Sequence, residues 1–129
     1  MGYAVQNLKQ LEDAAPGFGL GDTLEARFGR KALGAQHVGV SYQRLQPNVR
    51  LPFAHRHKTQ EEIYVVLSGS GRAKVGEEVV DLRQWDALRV DKETVRAFES
   101  GPDGMELLAV GGPVGEGNDA EMLDAAWAD

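Results

Sequence analysis

The chain has 129 residues, no cysteine and a formal net charge of −6. This length suits one domain, residues 1–129, that buries a core without covalent staples. The absence of cysteine excludes disulfides, thiol catalysis and cysteine-ligated zinc or iron–sulfur sites. The acidic balance and the lack of a basic cluster predict no nucleic-acid partner. Because neither a signal-peptide pattern nor a long apolar stretch is present, we expect no membrane contact and a cytoplasmic location.

The first part of the chain, residues 1–35, is predicted to be an N-terminal extension. Asn7 is a plausible N-cap for a helical turn over residues 8–14. A glycine-rich loop follows at 16–22, but it lacks the preceding strand and following helix of a nucleotide-binding loop. Residues 23–29 then alternate between apolar and polar side chains, which predicts a strand.

The barrel core is predicted to begin with a strand over residues 36–45. Val38, Val40 and Tyr42 fall on one face of this strand because side chains alternate along it. Apolar strand faces of this kind are often buried by a second subunit, so we expect a homodimer. His37 is expected to be a surface or interface residue, and the alternative is that it reaches the site.

Apolar and turn residues alternate through the rest of the chain. The run 63–67 is apolar at every position, which predicts a strand covered on both faces, and 68–71 reads as a hairpin turn. Further strands are predicted over 72–75, 79–82, 87–90, 95–99 and 105–110. About nine short strands with frequent turns are typical of an all-β sandwich or barrel.

After residue 111 the chain is predicted to leave the barrel core, which spans about 36–111. The tail, residues 112–129, is acidic and carries three apolar side chains, Met122, Leu123 and Trp127. We expect these side chains to dock the tail onto its own barrel or onto a partner subunit.

The segment His55-Arg56-His57 and the nearby Glu62 carry the most specific chemistry. On an extended strand His55 and His57 point the same way, and a short turn can bring Glu62 back opposite them. Two neutral imidazoles and one carboxylate can hold a first-row divalent metal such as Zn, Mn, Fe or Ni and leave coordination positions for a substrate.

The spacing His-x-His-x4-Glu-x6-Gly, filled by His55, His57, Glu62 and Gly69, resembles the first motif of the cupin superfamily. The resemblance implies an all-β, cupin-like double-stranded β-helix (jelly-roll) barrel, here with a short N-terminal helical turn, and supports the homodimer. The second cupin motif is degenerate. Arg96 stands where the family carries its fourth metal ligand, and a guanidinium has no lone pair to give a metal.

Three side chains are predicted to bind a ligand in the barrel. Tyr64 shares strand parity with Glu62, and Phe98 shares it with Arg96, so all of them are expected to face one cavity. Arg96, Tyr64 and Phe98 are therefore the predicted ligand-binding residues. A small molecule is the expected partner, because barrel pockets are usually apolar with a few convergent polar groups.

Three functions fit these residues. The first is a metal-dependent enzyme, for example a dioxygenase or isomerase, in which Arg96 clamps an anionic group. The second is a metal-free binding or sensor module in which Arg96 pairs with Glu62. The third is a metal-free isomerase or cyclase that uses His55 or His57 as a general base. The sequence specifies neither the substrate nor the reaction.

Overall fold

The computed structural model describes residues 2–115, 117 and 119–129, and strands dominate it. Three residues lie outside this description: Met1 of the predicted N-terminal extension, and Glu116 and Asn118 of the predicted tail. Two 3₁₀ turns, Leu8–Gln10 and Ala15–Phe18, and one short helix, α1 (Arg30–Leu33), accompany the strands. The strands are β1 (Leu24–Phe28), β2 (Gly39–Leu45), β3 (Phe53–His57), β4 (Glu61–Val75), β5 (Glu78–Arg83), β6 (Ala87–Val90), β7 (Arg96–Gly112) and β8 (Ala120–Asp124).

The strands form one antiparallel sheet that curls into two layers, because β4 and β7 are long enough to take part in both. The first layer runs β1, β2, the second half of β7, the first half of β4, and β6. The second layer runs β5, the second half of β4, the first half of β7, β3, and β8. The predicted all-β jelly-roll barrel is confirmed.

Both long strands bend where the layers meet, and glycines permit the bend. The hairpin turn predicted at 68–71 is wrong, since β4 continues through it while its ladder with β7 shifts register twice. A Cβ on Gly71 would lie 2.2 Å from the carbonyl oxygen of Glu99, and one on Gly69 would lie 2.1 Å from that of Gly104. The local Gly-Ser-Gly pattern therefore marks a close crossing of two strands.

Two further strand predictions need correction. The strands predicted over 95–99 and 105–110 are parts of the single strand β7. The run 63–67 is covered on one face only, because Tyr64 and Val66 point into the barrel while Ile63 is 42% exposed. The outer face of the first layer is thus partly open to solvent.

Apolar side chains from both layers fill the barrel. The largest of the fully buried ones are Tyr64, Leu45, Met105, Leu107 and Val66. Arg96 lies fully buried among these apolar residues.

A second, smaller cluster lies outside the second layer, where Ala54, Ala97 and Ala125 pack with Trp127. The tail therefore docks onto its own barrel through Trp127, one of the two outcomes expected for it, whereas Met122 does not dock and is 59% exposed. The sheet also reaches beyond the span 36–111 at both ends, through β1 and β8.

The N-terminal helical turn is confirmed as the 3₁₀ turn Leu8–Gln10, whose cap residue Asn7 accepts a hydrogen bond from the Lys9 amide at 3.0 Å. Lys9 lies over the Tyr42 ring, with its Nζ 5.1 Å from the ring centroid. No helix among the described residues combines the length and the apolar character needed to cross a membrane.

Candidate metal centre

The two histidines reach the barrel interior because β3 alternates its faces. Ala54, which lies between Phe53 and His55 in the sequence, packs outward in the small cluster under the tail. Phe53 packs against the barrel core. His55 and His57 share the inward face with Phe53. A short turn at residues 58–60 then leads into β4, which brings Glu62 back toward them.

The three predicted metal ligands converge in the structure. The Nε2 atom of His57 lies 3.0 Å from Glu62 Oε1, and that of His55 lies 3.4 Å from it. One donor atom from each residue lies within 4.8 Å of the others. Donors that share a metal at about 2.1 Å are about 3.0–3.4 Å apart, so the two distances from the histidines to Glu62 fit a common ion. Side-chain exposures of 10% for His57, 14% for Glu62 and 23% for His55 place the open side at His55.

Asp119 also belongs to this site, although the sequence pattern does not predict it. It lies just before β8 and accepts a hydrogen bond from His57 at 2.8 Å between Oδ1 and Nδ1. The same carboxylate accepts from Thr59 N at 3.0 Å and from Gln60 Nε2 at 2.8 Å. No local pattern marks Asp119, because it meets His57 only through the pairing of β8 with β3.

The His57 ring is held so that its second nitrogen faces Glu62. A proton on Nδ1, shared with Asp119, leaves a lone pair on Nε2. This Nε2 is buried and has no hydrogen bond among the described residues. It lies 3.0 Å from Glu62 Oε1 without a hydrogen bond. In the protonated ring this contact is favourable, whereas in the neutral ring it brings two lone pairs together, which a cation between them would offset.

Arg96 lies across from His55 on the neighbouring strand β7 and approaches Glu62 from there. Its Nη2 donates to Glu62 Oε1 at 3.0 Å and its Nε donates to the Tyr64 hydroxyl at 3.2 Å. Its Nη1 donates to the carbonyl of Thr94 at 2.8 Å. With the side chain fully buried and its donors turned toward protein groups, a direct contact with a ligand requires Arg96 to move. Its assignment to ligand binding stays a prediction.

The other two predicted ligand-binding residues stand behind Glu62. The Tyr64 hydroxyl donates to Glu62 Oε1 at 2.5 Å and lies 3.4 Å from His55 Nε2. The Tyr64 and Phe98 rings pack with centroids 4.7 Å apart. Both rings are buried in the barrel core, where Tyr64 bonds to Glu62 and Phe98 packs on Tyr64. Their contact with a ligand stays a prediction. The third histidine, His37, is exposed as predicted.

The family model described as "Cupin domain" matches residues 41–111, more than half of the chain. The chain belongs to the cupin family. A comparison with curated proteins found no match.

Solved structures similar to this cupin share its fold at low sequence identity. A cupin protein from Bacteroides fragilis is 24% identical, with a TM-score of 0.71 over 92% of this chain and 90% of that chain. A nucleoside dehydratase from Streptomyces is 13% identical, with a TM-score of 0.76 over 95% and 92% of the two chains. A predicted oxalate decarboxylase from Thermotoga maritima is 22% identical, with a TM-score of 0.62 over 70% and 81%.

The electrostatics of this cupin keep Glu62 ionised. Burial alone would raise the pKa of Glu62, but hydrogen bonds with His55 and Tyr64 and the close contact with the His57 ring hold it well below its ordinary value. Burial, together with the charge on Glu62, raises the pKa of Tyr64, which therefore stays protonated as a donor. Burial would lower the pKa of His57, but the carboxylates of Glu62 and Asp119 outweigh it and raise that pKa.

The residues of the cupin site fit a divalent metal. Two imidazole nitrogens and one carboxylate oxygen suit Zn, Mn, Fe or Ni, and the buried, unbonded Nε2 of His57 is a donor that a metal would satisfy. Among the described residues three ligands converge here, and Arg96 bonds to Glu62 where the second cupin motif would supply a fourth. A coordination number above three would need water or substrate.

A surface depression of ≈ 460 Å³ lies on the outer side of the residues that hold His57, and none of the predicted metal-binding or ligand-binding residues lines it. Its wall includes Thr59, which donates to Asp119, and Lys92, whose carbonyl accepts from the His57 amide at 2.7 Å. The remaining lining residues are Glu61, Asp91, Glu93, Gly112 and Pro113. The depression therefore adjoins the two groups that hold His57.

Proposed function

We propose that this cupin binds one divalent transition metal through His55, His57 and Glu62 and presents it to a small molecule. The observation that carries the proposal is the state of His57. Its Nδ1 is bound to Asp119 while its buried Nε2 faces Glu62 without a hydrogen bond. A carboxylate partner on the distal nitrogen is the usual arrangement around a metal-binding histidine, because it fixes the tautomer and raises the basicity of the ligand.

The residues around the ligands have distinct tasks in this proposal. Asp119 orients the His57 ring, and the Tyr64 hydroxyl holds Glu62 in place from the barrel core. Arg96 offsets the negative charge of Glu62. A bound metal would supply Lewis acidity, and a redox-active one would also supply electron transfer.

Two features support a small molecule as the partner. The depression next to the residues that hold His57 has a volume of ≈ 460 Å³, within the range of small-molecule sites, although the metal ligands do not line it. One structure of the Streptomyces nucleoside dehydratase, which shares the fold, contains uridine. At 13% identity that likeness supports a ligand-sized barrel mouth and no particular substrate.

Equilibrium dialysis against Zn²⁺, Mn²⁺, Fe²⁺ and Ni²⁺, followed by elemental analysis, tests the proposal. We expect about one metal per chain in the wild type and loss of binding in His55→Ala/His57→Ala. His37→Ala is the matched control, because it removes the exposed histidine, and it should bind like the wild type. Equal metal content in the double variant and the control would overturn the proposal, as would no binding to the wild type.

One observation favours a second candidate, a metal-free binding module. Arg96 is fully buried and its Nη2 lies 3.0 Å from Glu62 Oε1, so the carboxylate already has a cationic partner. In this candidate Glu62 anchors the barrel mouth rather than a metal. Screening of small-molecule libraries by thermal shift, with a chelator present, would support it if a ligand raised the Tm while dialysis detected no metal.

A further inference from the structure

The strand that carries both histidines, β3, pairs mainly with the C-terminal segment, residues 119–127, which contains β8. In the described part of the chain β3 pairs with β7 at one position, His55 opposite Arg96. By contrast, β8 pairs with β3 along its whole length, from Phe53 to His57. An ion pair between Arg56 and Glu121, at 2.8 Å, adds a side-chain contact across the two strands.

The segment begins at the site itself. Asp119 binds His57 Nδ1, and its backbone oxygen accepts from the Lys58 amide at 3.2 Å. Its second carboxylate oxygen accepts from the amide and the hydroxyl of Thr59 and from the amide of Gln60. Asp119 therefore ties one metal ligand to the turn that leads to Glu62.

The segment ends at an anchor away from the metal ligands. The indole Nε1 of Trp127 donates to the carbonyl of Leu51 at 3.1 Å, and its ring lies 4.6 Å from the guanidinium carbon of Arg50. Ala125 is buried against Ala54 in the cluster outside the second layer. These contacts hold the segment without touching the metal ligands.

We infer that docking of residues 119–127 and metal binding at His57 are coupled through Asp119. This inference rests on the proposed function. A docked segment presents His57 with Nδ1 engaged and Nε2 directed at Glu62, which is the arrangement a metal requires. A bound metal, in turn, fixes the His57 ring and favours the docked segment, because coupling between two binding events is reciprocal. Any partner that displaced the segment would weaken the metal site.

Hydrogen exchange of the wild-type protein tests the coupling without any substitution. Amides of residues 119–127 should exchange more slowly with Zn²⁺ bound than in the chelated protein, because they exchange by local opening of the segment. Amides of β5, at the far edge of the second layer, should change little and serve as the internal reference.

Zn²⁺ affinity of variants tests the reverse direction. Trp127→Ala, which leaves every ligand in place, should weaken Zn²⁺ binding by about 5-fold or more. Trp85→Ala is the matched control, since Trp85 is 70% exposed and lies outside the segment, and it should leave the affinity unchanged.

The link itself is tested by Asp119→Ala. It should weaken Zn²⁺ binding by about 10–100-fold and alter the visible absorption of the Co²⁺-loaded protein, because the orientation of the His57 ring is lost. Thr59→Val removes a hydroxyl contact to Asp119 but leaves the bond between Asp119 and His57. It should therefore change the Zn²⁺ affinity and the Co²⁺ absorption less than Asp119→Ala does.

The outcomes separate the two claims. If the wild type binds Zn²⁺ but segment exchange does not slow and Trp127→Ala binds as tightly as Trp85→Ala, the coupling is overturned and the metal site stands. If the wild type binds no metal in any condition, both the proposed function and the coupling fail.

Discussion

Among single residues, Arg96 decides how the site of this cupin behaves. It is fully buried, it donates to Glu62, and it lies where the second cupin motif has its fourth ligand. A dication and a guanidinium about 5 Å apart repel by roughly 6–7 kcal/mol at an effective dielectric of about 20. Arg96 therefore stabilises the metal-free site and opposes metal binding at once.

Arg96→His should raise metal affinity. The substitution removes a positive charge and adds an imidazole at the position of the missing fourth ligand. Competition titration with a chromophoric chelator measures the change, with His37→Ala as the reference for histidine content. Affinity equal to or below that of the wild type would show that this side of the site does not face the metal.

Arg96→Ala should destabilise the metal-free fold by about 3–5 kcal/mol, because Glu62 would remain buried without its cationic partner. Urea unfolding measures the loss. Arg89→Ala is the matched control, since Arg89 is exposed and pairs with Asp91 and Glu61 at the surface, where such pairs contribute at most about 1 kcal/mol. Equal losses in the two variants would mean that Glu62 does not need Arg96.

The raised pKa of His57 predicts how the stability of the metal-free protein depends on pH. Its pKa in the folded state lies above the ordinary value of 6.5 because Glu62 and Asp119 outweigh burial. The stabilisation is therefore complete below pH 6.5 and is lost as pH rises through the folded-state pKa. Metal affinity should rise over the same window, because the proton on Nε2 competes with the metal.

Urea unfolding from about pH 6 to pH 9 in a chelator measures this dependence. His57→Gln should flatten the decline in the free energy of unfolding, while His37→Gln should leave it as in the wild type. A stability that rises through this range in the wild type and flattens in His57→Gln would mean that His57 is bound in its neutral form.

Among the structural elements, the bend in β4 and β7 shapes the barrel. Both strands pass from one layer to the other, and at the bend their backbones approach too closely for a side chain at Gly69 or Gly71. Glycine is needed at such positions because a Cβ would overlap the neighbouring carbonyl.

Gly71→Ala should destabilise the fold by about 1–3 kcal/mol, the range for overpacking, since its Cβ would lie 2.2 Å from the carbonyl oxygen of Glu99. Gly39→Ala, also within a strand, is the control, because its Cβ would meet atoms no closer than 3.6 Å. Thermal and urea unfolding compare the two. A loss in Gly71→Ala no greater than in Gly39→Ala would contradict the close crossing.

The sequence predicts the metal ligands better than it predicts the residues that orient these ligands. His55, His57 and Glu62 are readable because strand alternation and a short turn place them together within eight residues. Asp119 is not, because its contact with His57 depends on a strand pairing between distant parts of the chain. The Gly69-Ser70-Gly71 sequence is compatible with a hairpin turn and with a close crossing of two strands. Only the partner strand, β7, shows which of the two forms.

For the whole molecule, the outer face of the first layer remains partly open. Ile63 and Val38 are 42% and 49% exposed there, whereas Tyr42 is buried beneath Lys9 of its own chain. We propose that a second copy of the chain covers this face, since partly exposed apolar sheet faces of this kind mark protein interfaces.

Ile63→Lys should therefore convert the expected homodimer into a monomer, because a charge would be buried at the centre of the contact. Sedimentation equilibrium measures the mass. Val79→Lys is the control, since Val79 is also exposed but lies on β5 at the edge of the other layer. A wild-type mass of one chain, or a dimer that persists in Ile63→Lys, would contradict this arrangement.

An anomalous difference map from crystals soaked in Zn²⁺ shows directly whether His55, His57 and Glu62 hold a metal. Metal binding at this site predicts one strong peak per chain within about 2.0–2.2 Å of His55 Nε2, His57 Nε2 and a carboxylate oxygen of Glu62, with Asp119 still on His57 Nδ1. A map without a peak at this position, with the contact between Arg96 and Glu62 intact, would contradict it.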